Sequence, residues 1–281
     1  MHVVSTIKEL QILLAQHRNN GKNIGFVPTM GALHHGHLSL VTQAKNFCAV
    51  VVCSIFVNPT QFNNVDDLTN YPKTLENDLS ILNTVGCDIV FCPDANELYP
   101  TKCQLSFDFG YLEKIMEGAF RPGHFNGVGT VVAKFFNIIQ PDHAFFGQKD
   151  LQQYAIIQLL VNDLSYQVQL HCCAIIREQD GLAMSSRNMR LNENQRTLAP
   201  TIFQSLQTGE KLAKNNSTLA SIYNQMTDLY VDKNIKLEYY KFVNAEDLTE
   251  ITTLVKGQKI AICVACYIDD IRLIDNIIFN A

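Results

Sequence analysis

Two histidines, His34 and His37, stand three residues apart around Gly36, in the segment Val27-Pro28-Thr29-Met30-Gly31-Ala32-Leu33-His34-His35-Gly36-His37. The run Ile24, Phe26, Val27 before them reads as a strand, and the amphipathic stretch from Leu38 to Phe47 as a helix. A strand that ends in a small-residue loop and opens a helix is a ready anion site. The first helical turn leaves backbone N–H groups unpaired and pointing outward, and Gly36 lets a phosphate come close. Paired imidazoles at such a junction point to nucleotide chemistry. Zinc is the competing use of paired histidines. A catalytic zinc wants three protein ligands, however, and neither His-Glu-x-x-His nor paired Cys-x-x-Cys units occur. His35 is expected to face away from the concave side of the loop.

Two further groups carry suitable chemistry. Lys149, in Phe146-Gly147-Gln148-Lys149-Asp150, directly follows a predicted strand and is the best candidate cation for phosphate. Gly147 permits close backbone approach. Asp150 either accepts from ribose hydroxyls or caps the helix that begins at Leu151. Further on, Met184-Ser185-Ser186-Arg187 offers two hydroxyls and a guanidinium able to grip a triphosphate tail, and nearby Gly181 supplies loop flexibility.

His34-x-Gly36-His37 resembles the HxGH signature of the nucleotidylyltransferase superfamily, which includes the class I aminoacyl-tRNA synthetases. The longer string Pro-Thr-Met-Gly-Ala-Leu-His-x-Gly-His resembles one family within it, the pantothenate synthetases. Four further segments agree in order and spacing: Phe56–Phe62, Arg121–Phe125, Phe146–Asp150 and Gly181–Asn188. The resemblance spans nearly the whole chain. It implies ligation of pantoate to β-alanine through an enzyme-bound pantoyl adenylate, with ATP consumed to AMP and pyrophosphate. It also implies that Met30, Gly31, Ala32, Leu33, His34, His35, Gly36 and His37 form the ATP-contacting loop, with His37 as proton donor. Gly147, Gln148, Lys149 and Asp150 join them, and Met184–Arg187 is similar to the family's counterpart of the KMSKS loop. Ile176 falls where the family places an apolar residue whose backbone meets adenine. Gln61 and Gln153 fall at the pantoate positions, and Arg121 and His124 in a wall of the site. Mg2+ is expected with ATP, held largely by phosphates and water. Asp78 is its one charged protein candidate, in an Asn77-Asp78 pair where relatives often carry neighbouring acids.

The elements that must position these residues alternate over about the first 175 residues. Strands are predicted at Ile24–Val27, Ala49–Phe56, Asp88–Cys92, Ala144–Phe146 and Gln167–Ile176. Helices are predicted after Ser5 or Thr6 and over Gly36–Phe47, Leu75–Val85, Gly127–Ile139 and Leu151–Asp163. Such alternation predicts a Rossmann-like, doubly wound parallel sheet. The near-continuous apolar strands suit a sheet covered on both faces. Ligands of such sheets bind beyond the carboxyl ends of the strands. His34 and His37, Asn58–Gln61 and Gly147–Lys149 each follow a predicted strand, on that rim. From 176 the pattern changes to helices at Asn192–Lys214 and Ser217–Val231, then strands at Leu237–Val243, Gln258–Tyr267 and Ile271–Asn276. The expected division is a nucleotide- and pantoate-binding domain, 1–175, and a smaller α+β domain, 176–281, carrying the KMSKS-like loop.

Composition bounds the alternatives. Of 281 residues, 47% are hydrophobic and 17% charged, which is globular. A net charge of −5 indicates no generally basic face for nucleic acid and weighs against a tRNA-binding reading of the histidine motif. No run approaches the roughly 18 apolar residues of a membrane span, and the N-terminus lacks a signal-peptide layout. The nine cysteines, an odd number lying mostly in apolar runs, fit reduced thiols of a cytoplasmic protein. Cys263 and Cys266 have redox spacing, but residues three apart on a strand face opposite sides. A homodimer is expected from the family and from the frequency of twofold assemblies. Three readings compete: the ligase, a nucleotidyltransferase acting on a phosphorylated acceptor, and a nucleotide-binding regulator without catalysis. The first accounts for the most residues.

Overall fold

The computed structural model describes residues 1–62, 68–69, 71–215 and 217–281. The chain forms two compact units, Met1–Gly147 with Gln152–Ala174, and Gln148–Leu151 with Ile175–Ala281.

The first unit is a six-stranded sheet. Its strands are β1 (His2–Val4), β2 (Ile24–Thr29), β3 (Val50–Ile55), β4 (Ile89–Phe91), β5 (His143–Gly147) and β6 (Gln169–Cys173). They lie in the order β1-β4-β3-β2-β5-β6, and every pairing is parallel. The main helices are α1 (Ile7–Asn19), α2 (His35–Phe47), α3 (Leu75–Thr84), α4 (Ala95–Leu98), α5 (Met116–Phe120), α6 (His124–Ile139) and α7 (Leu151–Asp163). Alternation along the strands builds two cores. Phe26, Val52 and Phe91 pack with Leu10, Leu14, Phe135 and Phe136 on one face. Val27, Val51 and Val90 pack with Leu40, Val41 and Leu82 on the other. This is the doubly wound sheet expected from the apolar runs.

Strand order reverses direction at β2, whose neighbours are β3 and β5. Here β2 pairs with β3 as far as Thr29, but with β5 only at Gly25 and Phe26. Pro28, beyond that limit, has no N–H to offer a neighbour. A crevice at such a reversal is where ligands of open α/β sheets bind, and the histidine loop leaves β2 at this point.

In the second unit, β7 (Lys236–Asn244), β8 (Lys259–Ile268) and β9 (Ile271–Asn280) form an antiparallel sheet. Its core includes Ile202, Leu206, Met226 and Tyr230 from two of the helices α8 (Glu193–Leu198), α9 (Thr201–Lys214) and α10 (Leu219–Asp232). The single helix expected over 192–214 is therefore two. Pro200 has no amide N–H to donate, so the helical hydrogen-bond ladder is broken there although the backbone of Ala199 and Pro200 stays in the helical region. Helix α6 begins at His124 rather than Gly127, and the three-residue edge strand β1 had no readable pattern of its own.

All nine cysteines are free thiols. Burial pushes Cys87, Cys173 and Cys266 up to about 12, so these three are not thiolate nucleophiles near neutrality. Cys263 and Cys266 are both buried in β8.

Candidate active site

The loop after β2 is shaped by left-handed backbone. Gly31 has φ 83° and Ala32 φ 49°. A Cβ at Gly31 would stand 3.1 Å from Asp78 Oδ2 and 3.2 Å from Ile55 Cγ2, so glycine serves both the angle and the close approach. Ala32 adopts a conformation that costs an L-residue roughly 1–2 kcal/mol. Asp78 holds it there. Projecting from α3 and only 1% exposed, its carboxylate accepts from Ala32 N–H at 3.0 Å and Leu33 N–H at 2.9 Å. Thr74 Oγ1 donates to it as well, at 3.1 Å.

This geometry corrects two sequence expectations. Asp78 does not fit a magnesium ligand, because its buried oxygens are turned to the protein's own donors. Most of the loop amides are likewise not open to an anion in the way the strand–loop–helix junction suggests. Those of Ala32 and Leu33 point at Asp78, Gly31 N–H donates to Thr29 Oγ1 at 3.3 Å, and those of His34, Gly36 and His37 have acceptors within the helix cap. Among the described residues no group of three or more His, Cys, Asp or Glu side chains is placed to hold a metal.

The two imidazoles form that cap. Gly36 N–H donates to His34 Nδ1 at 3.1 Å, and His34 N–H donates to His37 Nδ1 at 3.3 Å. This is a capping box made by histidines rather than the usual Ser and Glu. It has a chemical consequence. A ring nitrogen that accepts from an amide carries no proton, so in the neutral imidazole the proton sits on Nε2. Both rings therefore present Nε2–H, and their centroids lie 4.1 Å apart. Two such rings, tilted by 39° at the start of one helix, can serve one anion. His35 is exposed as the first residue of α2.

Beside this loop, Gln61 lies in a short helical turn after β3 (Pro59–Gln61). Its amide donates to Met30 Sδ at 2.8 Å, and its Oε1 accepts from Asn58 Nδ2 at 3.2 Å. Asn58, 1% exposed, also donates to Gly127 O at 3.1 Å and accepts from Tyr99 Oη at 3.0 Å. It thereby fixes which way the Gln61 amide is turned. His124 lies 2.8 Å from the Gln61 carbonyl through Nδ1. A carbonyl can only accept, so Nδ1 carries the proton there. Helix α6 makes the close packing possible at Gly127. A Cβ at that position would come within 2.8 Å of Gln61 Cα. Arg121 pairs with Glu117 at 3.5 Å. Gln153 is half-buried in the first turn of α7. Its neighbour Gln152 is buried, accepting from Glu117 N–H at 2.9 Å and donating to Leu112 O and Ile115 O.

Apart from Gly147, the remaining predicted residues belong to the second unit. Gly147 ends β5, and Gln148–Asp150 form one turn of 3-10 helix. Lys149 Nζ lies 3.8 Å from Asp150 Oδ1, with Asp150 the more exposed of the two. Ile176 and Met184 face one another across a tight hairpin, Met184 N–H donating to Ile176 O at 3.0 Å. Gly181, φ 93°, turns the hairpin against the Phe203 ring. Ser185 caps the turn Ser186–Arg190 by accepting from Arg187 N–H at 3.2 Å. Ser186 and Arg187 are half-buried. Sequence reading missed Asn58, Gly127 and Asn276 as positioning groups. For Asn58 a local signal existed, since Asn before Pro in the first turn is a cap pattern.

A doubly wound sheet with a histidine-capped turn at its reversal point defines an α/β enzyme of the HxGH nucleotidyl-transfer class. The family model described as pantoate-beta-alanine ligase matches residues 2–278, and the chain belongs to that family. It is 46% identical to a pantothenate synthetase of Cytophaga hutchinsonii, covering 98% of each chain. With that of Bacteroides thetaiotaomicron it shares 42% identity, over 99% of this chain and 98% of the relative. The solved pantothenate synthetase of Thermus thermophilus superposes with a TM-score of 0.92 at 38% identity, over 99% of each chain. The pantoate-beta-alanine ligase of Francisella tularensis, solved with beta-gamma ATP and beta-alanine, gives a TM-score of 0.81 at 35% identity. That match covers 99% of this chain and 97% of the other.

Proposed function

We propose that the protein condenses pantoate with β-alanine, consuming ATP and releasing pantothenate, AMP and pyrophosphate. The pantoate carboxylate attacks the α-phosphorus of ATP, and pyrophosphate leaves. The β-alanine amine then attacks the carbonyl of the pantoyl adenylate, and AMP leaves. In the first step an anion attacks a polyanion, so the site has to neutralise charge and hold the groups in line. The observation that carries this reading is the reciprocal histidine cap, which fixes two Nε2–H donors on one helix start. In this reading His34 and His37 stabilise charge moving onto the leaving pyrophosphate, and His37 supplies the proton. Lys149, Ser185, Ser186 and Arg187 bind phosphate oxygens. Met30–Gly36, Gly147, Gln148, Asp150, Ile176 and Met184 complete the ATP contacts.

Gln61 and Gln153 orient pantoate through neutral amides, which add no further charge. Gln61 is suited to this because Asn58 occupies its oxygen and leaves its N–H groups as the side that donates. Gly127→Ala is therefore expected to displace Gln61 and raise the KM for pantoate about tenfold or more. The KM for ATP should change less than about threefold, as steady-state kinetics would show.

Mg2+ enters with ATP, coordinated by phosphates and water. Among the described residues no helix is long and apolar enough to cross a membrane. We place the reaction in the cytoplasm, where nine free thiols stay reduced, and the assembly as a homodimer, which sedimentation would test. The decisive experiment combines ATP, Mg2+, pantoate and β-alanine, with mass analysis for pantothenate and AMP. Pyrophosphate exchange into ATP should require pantoate. Exchange that runs only with a phosphorylated acceptor would overturn the ligase reading.

A further inference from the structure

The second unit takes four residues, Gln148–Leu151, out of the middle of the first unit's sequence. One side chain of the second unit grips this turn. Asn276, in β9 and 2% exposed, donates through Nδ2 to Gln148 O at 2.9 Å and to Lys149 O at 3.0 Å. Its Oδ1 accepts from Gln148 Nε2 at 3.0 Å. Two consecutive carbonyls gripped by one amide leave the turn little freedom to rotate, and the turn carries Lys149.

Asn276 is itself fixed from below. Its backbone N–H donates to Asp275 Oδ1 at 2.8 Å, and its carbonyl accepts from Arg177 Nη2 at 3.2 Å. Arg177 meets Asp275 in a bidentate pair, at 2.6 and 3.0 Å. The same guanidinium donates to Gly181 O at 3.1 Å and lies 3.8 Å above the Phe203 ring. Gly181 is the turn of the hairpin that leads into Met184–Arg187. One buried node therefore holds the Lys149 turn through Asn276 and the Ser185–Arg187 segment through Arg177. A buried Asn on a strand is costly unless its groups are bonded, and these are bonded to the lysine turn.

We propose that Asn276 is a positioning residue for Lys149, setting that ammonium group against the Ser185–Arg187 segment from the Arg177–Asp275 pair beneath both. This rests on the reading of Lys149 as a phosphate ligand. A lysine on a long stem delivers its charge accurately only if the backbone below it is fixed. A displacement of about 1 Å at a reacting group can cost on the order of 100-fold in rate.

The test is a double-mutant cycle read by pantoate-dependent pyrophosphate exchange, with urea unfolding run on every variant. Asn276→Ala is expected to lower kcat about 10- to 100-fold, leaving the KM for pantoate within about threefold. In a Lys149→Ala background the same substitution should cost less than about threefold, because the group it positions is gone. Equal losses in both backgrounds would mean a structural role and overturn the proposal. A normal rate for Asn276→Ala beside a crippled Lys149→Ala would overturn it too, while leaving the phosphate-ligand reading intact. An undiminished Lys149→Ala would remove that reading and the proposal together. If Asn276→Ala shows no cooperative unfolding, Asn276→Asp takes its place. It keeps the volume and the acceptor for Gln148 but has no N–H for the two carbonyls, and the same coupling criterion applies.

Discussion

His37→Gln is expected to lower the rate of pantoate-dependent pyrophosphate exchange about 10²–10³-fold, the usual consequence of losing one transition-state donor. Its urea midpoint should stay close to that of the parent protein. The two effects separate because His37 has two tasks on two nitrogens. Through Nδ1 it accepts from His34 N–H and closes the helix cap. Through Nε2–H it presents a donor. Glutamine at the third helical position is a natural partner in a capping box, so its oxygen takes over the first task and the imidazole donor alone is lost. His34→Asn makes the companion test, since Asn is among the best N-cap residues. It should preserve the cap and still lose adenylation. His37→Ala, by contrast, removes both functions, and its stability should fall by about 1 kcal/mol as well. Exchange within about threefold of the parent for both His37→Gln and His34→Asn would show that the histidines are only a cap.

How much of this was readable in the chain follows from how local each interaction is. Strands β2 and β3 were legible because their apolar residues meet one or other of two cores, which makes them largely apolar runs. Helix α7 matched its expected span, Leu151–Asp163, because nothing within it interrupts the helix. The histidine motif also declared itself, since its cap is closed between residues no more than three apart. The long-range polar partners did not. Asp78 meets Leu33 across 45 positions, and Gln148 meets Asn276 across 128. Nothing local distinguishes such an Asp or Asn from a solvated one. For the same reason the loop amides read as open to an anion, when an aspartate on another helix had already engaged two of them. The break at Pro200 was legible in principle, but the helical periodicity on either side of it concealed it.

Asp78→Ala is expected to destabilise the protein by about 3 kcal/mol or more. The substitution strips the acceptor from two amides, Ala32 N–H and Leu33 N–H, and a buried donor left unmet costs roughly 1–3 kcal/mol. It also removes what holds Ala32 at φ 49°, so the loop should relax toward a commoner backbone and carry Met30 and His34 with it. Exchange activity should fall by at least about 100-fold, because the histidine donors lose their fixed position. Asp78→Asn retains one oxygen acceptor and should fall between alanine and the parent in both stability and rate. A magnesium titration decides between the two roles that a buried acid could have beside ATP. Were Asp78 a metal ligand, the variants would need more Mg2+ and recover activity when given it. With its oxygens committed to loop amides, the Mg2+ requirement of Asp78→Asn should match the parent's while its maximal rate stays low. Recovery at high Mg2+ would return Asp78 to the metal, and the loop's conformation would then need another cause.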